Sequence, residues 1–283
     1  MEILLEDFKK NYYSQHGEDG IIEKIFEIIP RDNWCVEFGA WDGKYLSNTC
    51  YLIENYGYNA VLIEGNYKKY QELINNFKDN KSVIALNNII GFNDKNNLDS
   101  ILKTSPIPEN FDLLSIDIDG NDYHVWDSIN AYKPKVVCIE YNPTIPNGVE
   151  FIQKKDMKIS QGNSATAICK LATIKGYELV ATTGTNLIFV DEKYFSLFGI
   201  NDNSLNKLKK THLTTYLFSG YDGTVFIEGE KNIHWHRIHF QEANLQQLPK
   251  FLRKFPDNYN FFERIIFNFY KSMKNKVKKS VRD

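Results

Sequence analysis

The sequence predicts an α/β fold: a mostly parallel open sheet with an antiparallel last strand, followed by a C-terminal extension. Short apolar runs alternate with amphipathic stretches as far as residue 190, which is typical of strands joined by crossover helices. The last two runs, 177–182 and 186–190, are joined by only three residues. A connection that short suits antiparallel neighbours. We therefore predict a first domain at 1–190 and an extension at 191–283.

The elements of the first domain are predicted in chain order. An apolar stripe at three- and four-residue steps predicts a helix over 21–29, and Ser47-Asn48-Thr49 precedes a second helix. Further helices are expected over 66–78 and 165–175. Strands are predicted at 34–38, 60–63, 83–89, 111–116 and 135–139, ahead of the closing pair.

The first strand runs into a glycine turn. Residues 33–43 read NWCVEFGAWDG, and the second strand ends on Glu64. Glycine at 39 and 43 lets the backbone approach a ligand closely, and the Glu64 carboxylate can accept hydrogen bonds from both ribose hydroxyls. A glycine turn with an acid at the next strand tip predicts an adenosine-containing ligand.

The spacing of this turn separates two ligand classes. A dinucleotide site needs G-x-G-x-x-G to place a pyrophosphate on a helix N-terminus, whereas here Glu37 precedes Gly39 by two residues and Gly43 follows four later. Glu37 would repel a phosphate but can face a cationic group, such as the amino end of a methionine moiety. Backbone N–H groups near Asn48, where a helix begins, could take a carboxylate.

Polar side chains gather after the fourth and fifth strands. The fourth strand is followed by Asp117, Asp119, Asp122 and His124, and the fifth by Glu140 and Asn142. Chemistry in such sheets is placed at the carboxyl ends of the strands. Three roles stay open: Asp117, Asp119 or His124 as a general base; Asp117, Glu140 and Asn142 as ligands of Mg²⁺ or Mn²⁺; or aspartates that only cap a turn.

Charge and composition exclude several classes. Residues 243–283 carry +7 and the whole chain −2, so the first 242 residues carry −9 and lack the basic face that nucleic acid requires. The N-terminus has no signal-peptide core, and no apolar run could span a bilayer, which predicts a cytoplasmic protein. The four cysteines show no C-x-x-C spacing and are expected to be reduced thiols.

Six segments together resemble the FkbM-like branch of S-adenosylmethionine (SAM)-dependent methyltransferases. They are YSQHGEDGII, WCVEFGAWDG, VLIEG, FDLLSIDIDGNDYHVW, VVCIEYNP and GTNLIFV, and they span about residues 12 to 190. The resemblance implies a Rossmann-like class I methyltransferase fold and O-methylation of a carbohydrate hydroxyl, on a sugar nucleotide or a surface-glycan precursor.

The resemblance also implies roles for individual residues. Gly39 and Gly43 would line the methionine part of SAM, Glu64 the ribose, Asn87 or Asn88 the adenine edge, and Asp117 the methyl group. Glu37, Asp42 and Asn48 are further expected cofactor contacts in and after the turn. Two alternatives stay open: an NAD(P)-dependent oxidoreductase, and a SAM-fold scaffold whose site has decayed.

The C-terminal tail predicts a basic amphipathic helix. Its apolar residues recur at three- and four-residue steps: Phe262, Ile265, Ile266, Phe269, Tyr270, Met273, Val277 and Val281. Its other face carries Lys271, Lys274, Lys276, Lys278, Lys279 and Arg282. Such a helix could lie on an anionic membrane, pack against the core, or pair with a second subunit in a homo-oligomer.

Overall fold

The computed structural model describes residues 3–93, 95–210 and 213–276. The chain divides into two compact units, Met1–Thr211 and His212–Asp283. The predicted domain boundary at residue 190 lies earlier than this division. Residues beyond 190 belong to the first unit because Phe198 is fully buried in its core and the backbone carbonyl of Phe198 accepts a hydrogen bond from Ile3 at 3.2 Å.

In the described part of the first unit, seven strands form one sheet in the order β3-β2-β1-β4-β5-β7-β6. The strands are β1 Trp34–Phe38, β2 Asn59–Ile63, β3 Val83–Leu86, β4 Leu113–Ile116, β5 Val136–Glu140, β6 Tyr177–Thr182 and β7 Asn186–Asp191. All neighbours are parallel except that β7 is antiparallel to both β5 and β6. This confirms the predicted fold class, a mostly parallel Rossmann-like α/β sheet with an antiparallel last strand.

Helices cover both faces of this sheet. They are α1 Glu18–Ile28, α2 Cys50–Tyr56, α3 Tyr67–Asn76, α4 Leu98–Leu102, α5 Asp122–Ser128, α6 Ala165–Ile174, α7 Glu192–Phe195 and α8 Leu205–Leu208. Residues of α1 to α3 join one buried apolar cluster, and residues of α4 to α6 join another. The near-continuous apolar strands follow from this three-layer arrangement, since a parallel sheet is buried on both faces.

The four cysteines carry free thiols, as predicted. Cys35, Cys50 and Cys138 are buried, and burial raises the pKa of each of these thiols. None of the helices in the described ranges is long and apolar enough to cross a membrane.

The second unit holds short strands and one long helix. Its elements are β8 Thr215–Ser219, β9 Val225–Gly229, β10 Asn232–Ile233, β11 Ile238–His239, α9 Glu242–Leu245 and α10 Phe261–Lys276. Strands β8 and β9 pair antiparallel. The predicted C-terminal helix is present up to Lys276; Val277, Lys278, Lys279, Val281 and Arg282 lie outside the described residues.

Candidate cofactor and acceptor site

Strands β1 and β4 meet at the point where the strand order changes direction, which is where open α/β sheets bind ligands. Phe38 and Ile116 are the last paired residues of these strands, so Gly39 and Asp117 follow side by side. Gly39 has a φ of +73°, and a Cβ built on it would lie 1.7 Å from the carbonyl oxygen of Asp117. Glycine is therefore required here by contact between two strand tips, whereas we expected the approach of a ligand to require it.

Glu64 fixes the glycine turn. One carboxylate oxygen accepts a hydrogen bond from the backbone N–H of Trp41 at 2.8 Å, and the other accepts one from Asn66 at 2.6 Å. Trp41 has a φ of 50°, a left-handed conformation that this bond helps to hold. A carboxylate offers about four lone-pair sites, so Glu64 keeps acceptor capacity for the predicted ribose contact.

Glu37 faces a loop of its own chain. Its carboxylate is buried and accepts hydrogen bonds from the Ser47 hydroxyl at 2.6 Å, the Thr49 hydroxyl at 2.8 Å and the Asn48 backbone N–H at 2.8 Å. Burial raises the pKa of Glu37, and these hydrogen bonds oppose the rise. The sequence predicted that Glu37 would face a cationic ligand group. In the structure its carboxylate is instead hydrogen-bonded to the loop over 47–49.

Asn48 and the start of α2 are similarly occupied. The Asn48 side chain donates to the Ser115 hydroxyl at 3.1 Å. The backbone N–H groups of Thr49 and Cys50 donate to the Ser47 hydroxyl. The N–H groups that we expected to take a ligand carboxylate are therefore already used inside this loop.

Three further predicted cofactor contacts lie around the turn. Asp42 caps it by accepting hydrogen bonds from the backbone of Lys44 at 3.0 Å and Tyr45 at 2.7 Å. The Asn87 side chain donates to the Glu64 carbonyl at 2.7 Å, and Asn88 is exposed after β3. Ile89, for which the sequence predicted no role, is 69 % exposed and lies against Gly65. The sequence signal that could have indicated it is an isoleucine directly after the Asn-Asn pair.

Three carboxyl groups meet at the tips of β4 and β5. Oxygen atoms of Asp117, Asp122 and Glu140 lie within 4.8 Å of one another. Asp122 is held by the backbone N–H groups of Ile118 and Gly120, both at 2.9 Å. Asp119 lies between them with a left-handed φ of 56°. The predicted ligand Asn142 uses its amide oxygen within a turn, where it accepts from Thr144, so Asp122 is the third oxygen side chain that the structure brings to this cluster.

Within the described ranges, no cationic side chain forms a salt bridge that balances the charge of this cluster. Although Asp117 is exposed as a residue, desolvation of its carboxyl group and then the charges of Asp122 and Asp119 raise its pKa. Burial and then the charge of Asp117 raise the pKa of Glu140. By contrast, the buried carboxylate of Asp112, at the start of β4, lies 2.8 Å from the amine of Lys135. Among the described residues, no Lys or Arg forms such an ion pair with the three clustered acids. Neighbouring carboxyl groups with raised pKa values and no cationic partner are typical of functional sites.

Residues 144–164 form a loop that packs over the β4 tip. The Asn163 side chain donates to the Gly120 carbonyl at 2.7 Å, and the Asn121 side chain donates to the carbonyls of Asp156 and Ile159. His124, a predicted general base, has its Nε2 2.8 Å from the Gln153 carbonyl. The structure therefore places His124 against this loop, and it does not join the carboxyl cluster.

The segment before α1 reaches the same edge of the sheet. Buried Glu18 accepts hydrogen bonds from Thr183, from the Asn186 side chain at 3.1 Å and from the backbone of His16 at 2.7 Å. Asn186 is the β7 partner of Glu140. A polar cavity of about 320 Å³ lies here, lined by Lys9, Lys10, Asn11, Gln15, His16, Gly17 and Gly184. The sequence signal for the contact between Glu18 and the residues near β7 is the polar run SQHGED at 14–19, just ahead of the apolar residues of α1.

No family model matches the chain, and no curated protein matches it. Among solved structures, the N-terminal domain of EvdMO1 with SAH bound is 11 % identical, with 64 % of this chain and 82 % of that chain covered and a TM-score of 0.43. A SAM-dependent methyltransferase from Aquifex aeolicus is 10 % identical, with coverages of 60 % and 89 % and a TM-score of 0.37. TYW2 from M. jannaschii in complex with AdoMet is 17 % identical, with coverages of 64 % and 79 % and a TM-score of 0.35. The fold assignment itself rests on the strand order and directions given above.

Proposed function

We propose that the protein is a SAM-dependent O-methyltransferase that acts on a carbohydrate hydroxyl. The observation that carries this proposal is the position of Asp117, which touches the glycine turn through its backbone and the carboxyl cluster through its side chain. A cofactor at the turn and an acceptor at the cluster would therefore be adjacent. The resemblance to the FkbM-like branch supports a sugar nucleotide or glycan precursor as the acceptor, and we propose a cytoplasmic site of action.

On the cofactor side, the glycine turn and Glu64 form the platform. SAM would supply a methyl group on a positively charged sulfur. We assign Glu64 to the ribose hydroxyls, and Asn87, Asn88 and Ile89 to the adenine. The buried loop under Glu37 holds the turn in shape, which preorganises the site.

On the acceptor side, the carboxyl cluster would accept the proton of the acceptor hydroxyl. Transfer of a methyl group from SAM to an acceptor hydroxyl would require the hydroxyl proton to leave. In its ionised form, the carboxylate of Asp117 or Glu140 can take it, because a carboxylate whose pKa is raised is a stronger base than an ordinary one. The loop over 144–164 would exclude water from this proton transfer.

A divalent cation is the alternative aid to the same reaction. Asp117, Asp122 and Glu140 offer three oxygen ligands, which suits Mg²⁺ or Mn²⁺, and their unbalanced charge fits a cation. Such an ion would acidify the acceptor hydroxyl. Under that alternative, Asp122 would be a ligand together with Asp117 and Glu140. Asn142 would not be a ligand, because its amide oxygen accepts hydrogen bonds from Thr144 within a turn.

The oxidoreductase alternative fits the same site less well. A nicotinamide dinucleotide needs free N–H groups for its pyrophosphate. Here the N–H groups of Asn48, Thr49 and Cys50 are bonded to Glu37 and Ser47, and Glu37 adds a buried acid beneath them. A decayed scaffold is disfavoured because this chain carries a carboxyl cluster that is costly to hold together without a cation.

The test is a screen of sugar nucleotides for conversion of SAM to S-adenosylhomocysteine by the full chain. We expect turnover with at least one of them, a large loss in Glu140→Gln, and normal turnover in Glu109→Gln, which changes an exposed acid with no side-chain role in the site. SAM binding without turnover on any sugar would contradict the acceptor class. Equal activity of both variants would contradict the role of the cluster.

A further inference from the structure

The long helix of the second unit packs on that unit through one narrow face. Its half-buried residues are Glu263, Phe267 and Tyr270, which recur at steps of four and three. The Phe267 ring lies 5.1 Å from the Tyr259 ring, and the Tyr270 hydroxyl donates to the Gln247 carbonyl at 2.9 Å. Glu263 pairs with Lys254 at 2.6 Å. These contacts fix which way α10 faces within its unit.

The strongly apolar stripe of α10 is a different face. Phe261, Phe262, Ile265, Ile266, Phe269 and Met273 are all exposed, with Phe262 and Phe269 at 74 % and 73 %. At 100° per residue they fill an arc of about 140°, and the packed residues lie outside it. Packing within its own unit therefore does not account for this stripe.

The charge of the unit indicates what covers the stripe. Residues 212–283 contain twelve Lys and Arg against seven Asp and Glu, a net charge of +5, while residues 1–211 carry −7. The part of the chain that holds the apolar face is thus the part with a net positive charge. An apolar face on a positively charged unit is complementary to an anionic lipid surface, whereas two copies of the unit would repel each other.

We propose that the exposed stripe of α10 lies in the interface of an anionic membrane and holds the protein there peripherally. The six apolar side chains would enter the boundary between headgroups and acyl chains, and the basic residues of the unit would add long-range attraction. This proposal does not depend on the methyltransferase assignment.

The test is sedimentation of the full chain with vesicles of phosphatidylcholine alone and of phosphatidylcholine with phosphatidylserine. We expect binding only to the anionic vesicles, with a large loss at high salt. Phe262→Ser with Phe269→Ser should weaken binding by at least about tenfold, since each ring leaves the apolar layer. The control is Ile174→Ser, which changes an 81 % exposed apolar residue of the first unit.

Two further measurements on the double variant show whether the stripe is instead covered by another part of the same chain or by a second copy of the chain. We expect its melting temperature and its mass in solution to equal those of the wild type. A lower melting temperature would show that protein of the same chain covers the stripe, and a change from dimer to monomer would show that a second copy does. Either result, or no binding of the wild type to anionic vesicles, would overturn the proposal.

Discussion

The carbonyl oxygen of Asp117 occupies the space that a side chain on Gly39 would need, 1.7 Å from the position of its Cβ. This contact joins the tips of β1 and β4, so the turn that we assign to the cofactor and the aspartate that we assign to the methyl group are set by one another. The site is therefore built as one unit, and a change on one side is transmitted to the other.

Gly39→Ala should consequently destabilise the fold and weaken SAM binding together. The added methyl group meets backbone, which cannot rotate away, and the positive φ adds strain. The matched control is Gly57→Ala, which has a φ of +65° but open space around its Cβ. We expect the control to lose about 1–2 kcal/mol in urea unfolding and to keep its SAM affinity. Similar losses in both variants would contradict a role for the contact.

Glu64→Ala should weaken SAM binding by about tenfold to a hundredfold, because it removes a charged acceptor for the ribose. It should also lower the free energy of unfolding by about 1–3 kcal/mol, because the N–H groups of Trp41 and Asn66 lose their partner. Calorimetric titration and urea unfolding measure the two effects separately. Glu27→Ala, an exposed acid on α1, is the control. Unchanged SAM affinity would remove Glu64 from the ribose.

The carboxyl cluster makes stability depend on pH. Glu140 and Asp117 have raised pKa values in the folded chain, so the folded state binds protons more tightly than the unfolded state and loses this advantage as pH rises from about 4. Without divalent cations, Glu140→Gln should therefore raise the free energy of unfolding at about pH 8 by about 1 kcal/mol and change it little at about pH 4. Glu109→Gln should show no such difference. A destabilised Glu140→Gln at the higher pH would contradict the cluster's repulsion.

Adding or removing divalent cations should show whether a bound metal ion or a carboxylate base assists removal of the acceptor proton. If the cluster holds a metal ion, EDTA abolishes turnover and Mn²⁺ or Mg²⁺ restores it, and either ion raises the melting temperature of the wild type but not of Glu140→Gln. If a carboxylate acts directly, turnover persists in EDTA and the ions leave the melting temperature unchanged. The melting measurement needs no identified acceptor, so it remains informative if the sugar screen fails.

Local patterns predicted the sheet well because each strand is a separate apolar run with its own turn signal. The predicted run 34–38 is β1, and the run 177–182 is β6. The antiparallel β7 followed from the three-residue connection before it. The sequence also predicted that Asp117 and Glu140 would meet, since parallel strands end at a common edge.

Contacts between distant parts of the chain could not be predicted in the same way. Glu37 bonds to a loop ten residues later, and nothing in the spacing shows that its charge is used there. Glu18 accepts a hydrogen bond from Asn186, which lies 168 residues later in the sequence. The apolar stripe of α10 was visible in the sequence, but only the contacts of Phe267 and Tyr270 show that a different face packs against its unit.

The most direct test of the central claim is calorimetric titration of the full chain with SAM, with S-adenosylhomocysteine and with NAD. We expect SAM and S-adenosylhomocysteine to bind at one site per chain and to compete with each other, with affinity reduced in Gly39→Ala and Glu64→Ala, and we expect no heat of binding with NAD. Binding of NAD without binding of SAM would contradict the assignment of the glycine turn and of the carboxyl cluster beside it.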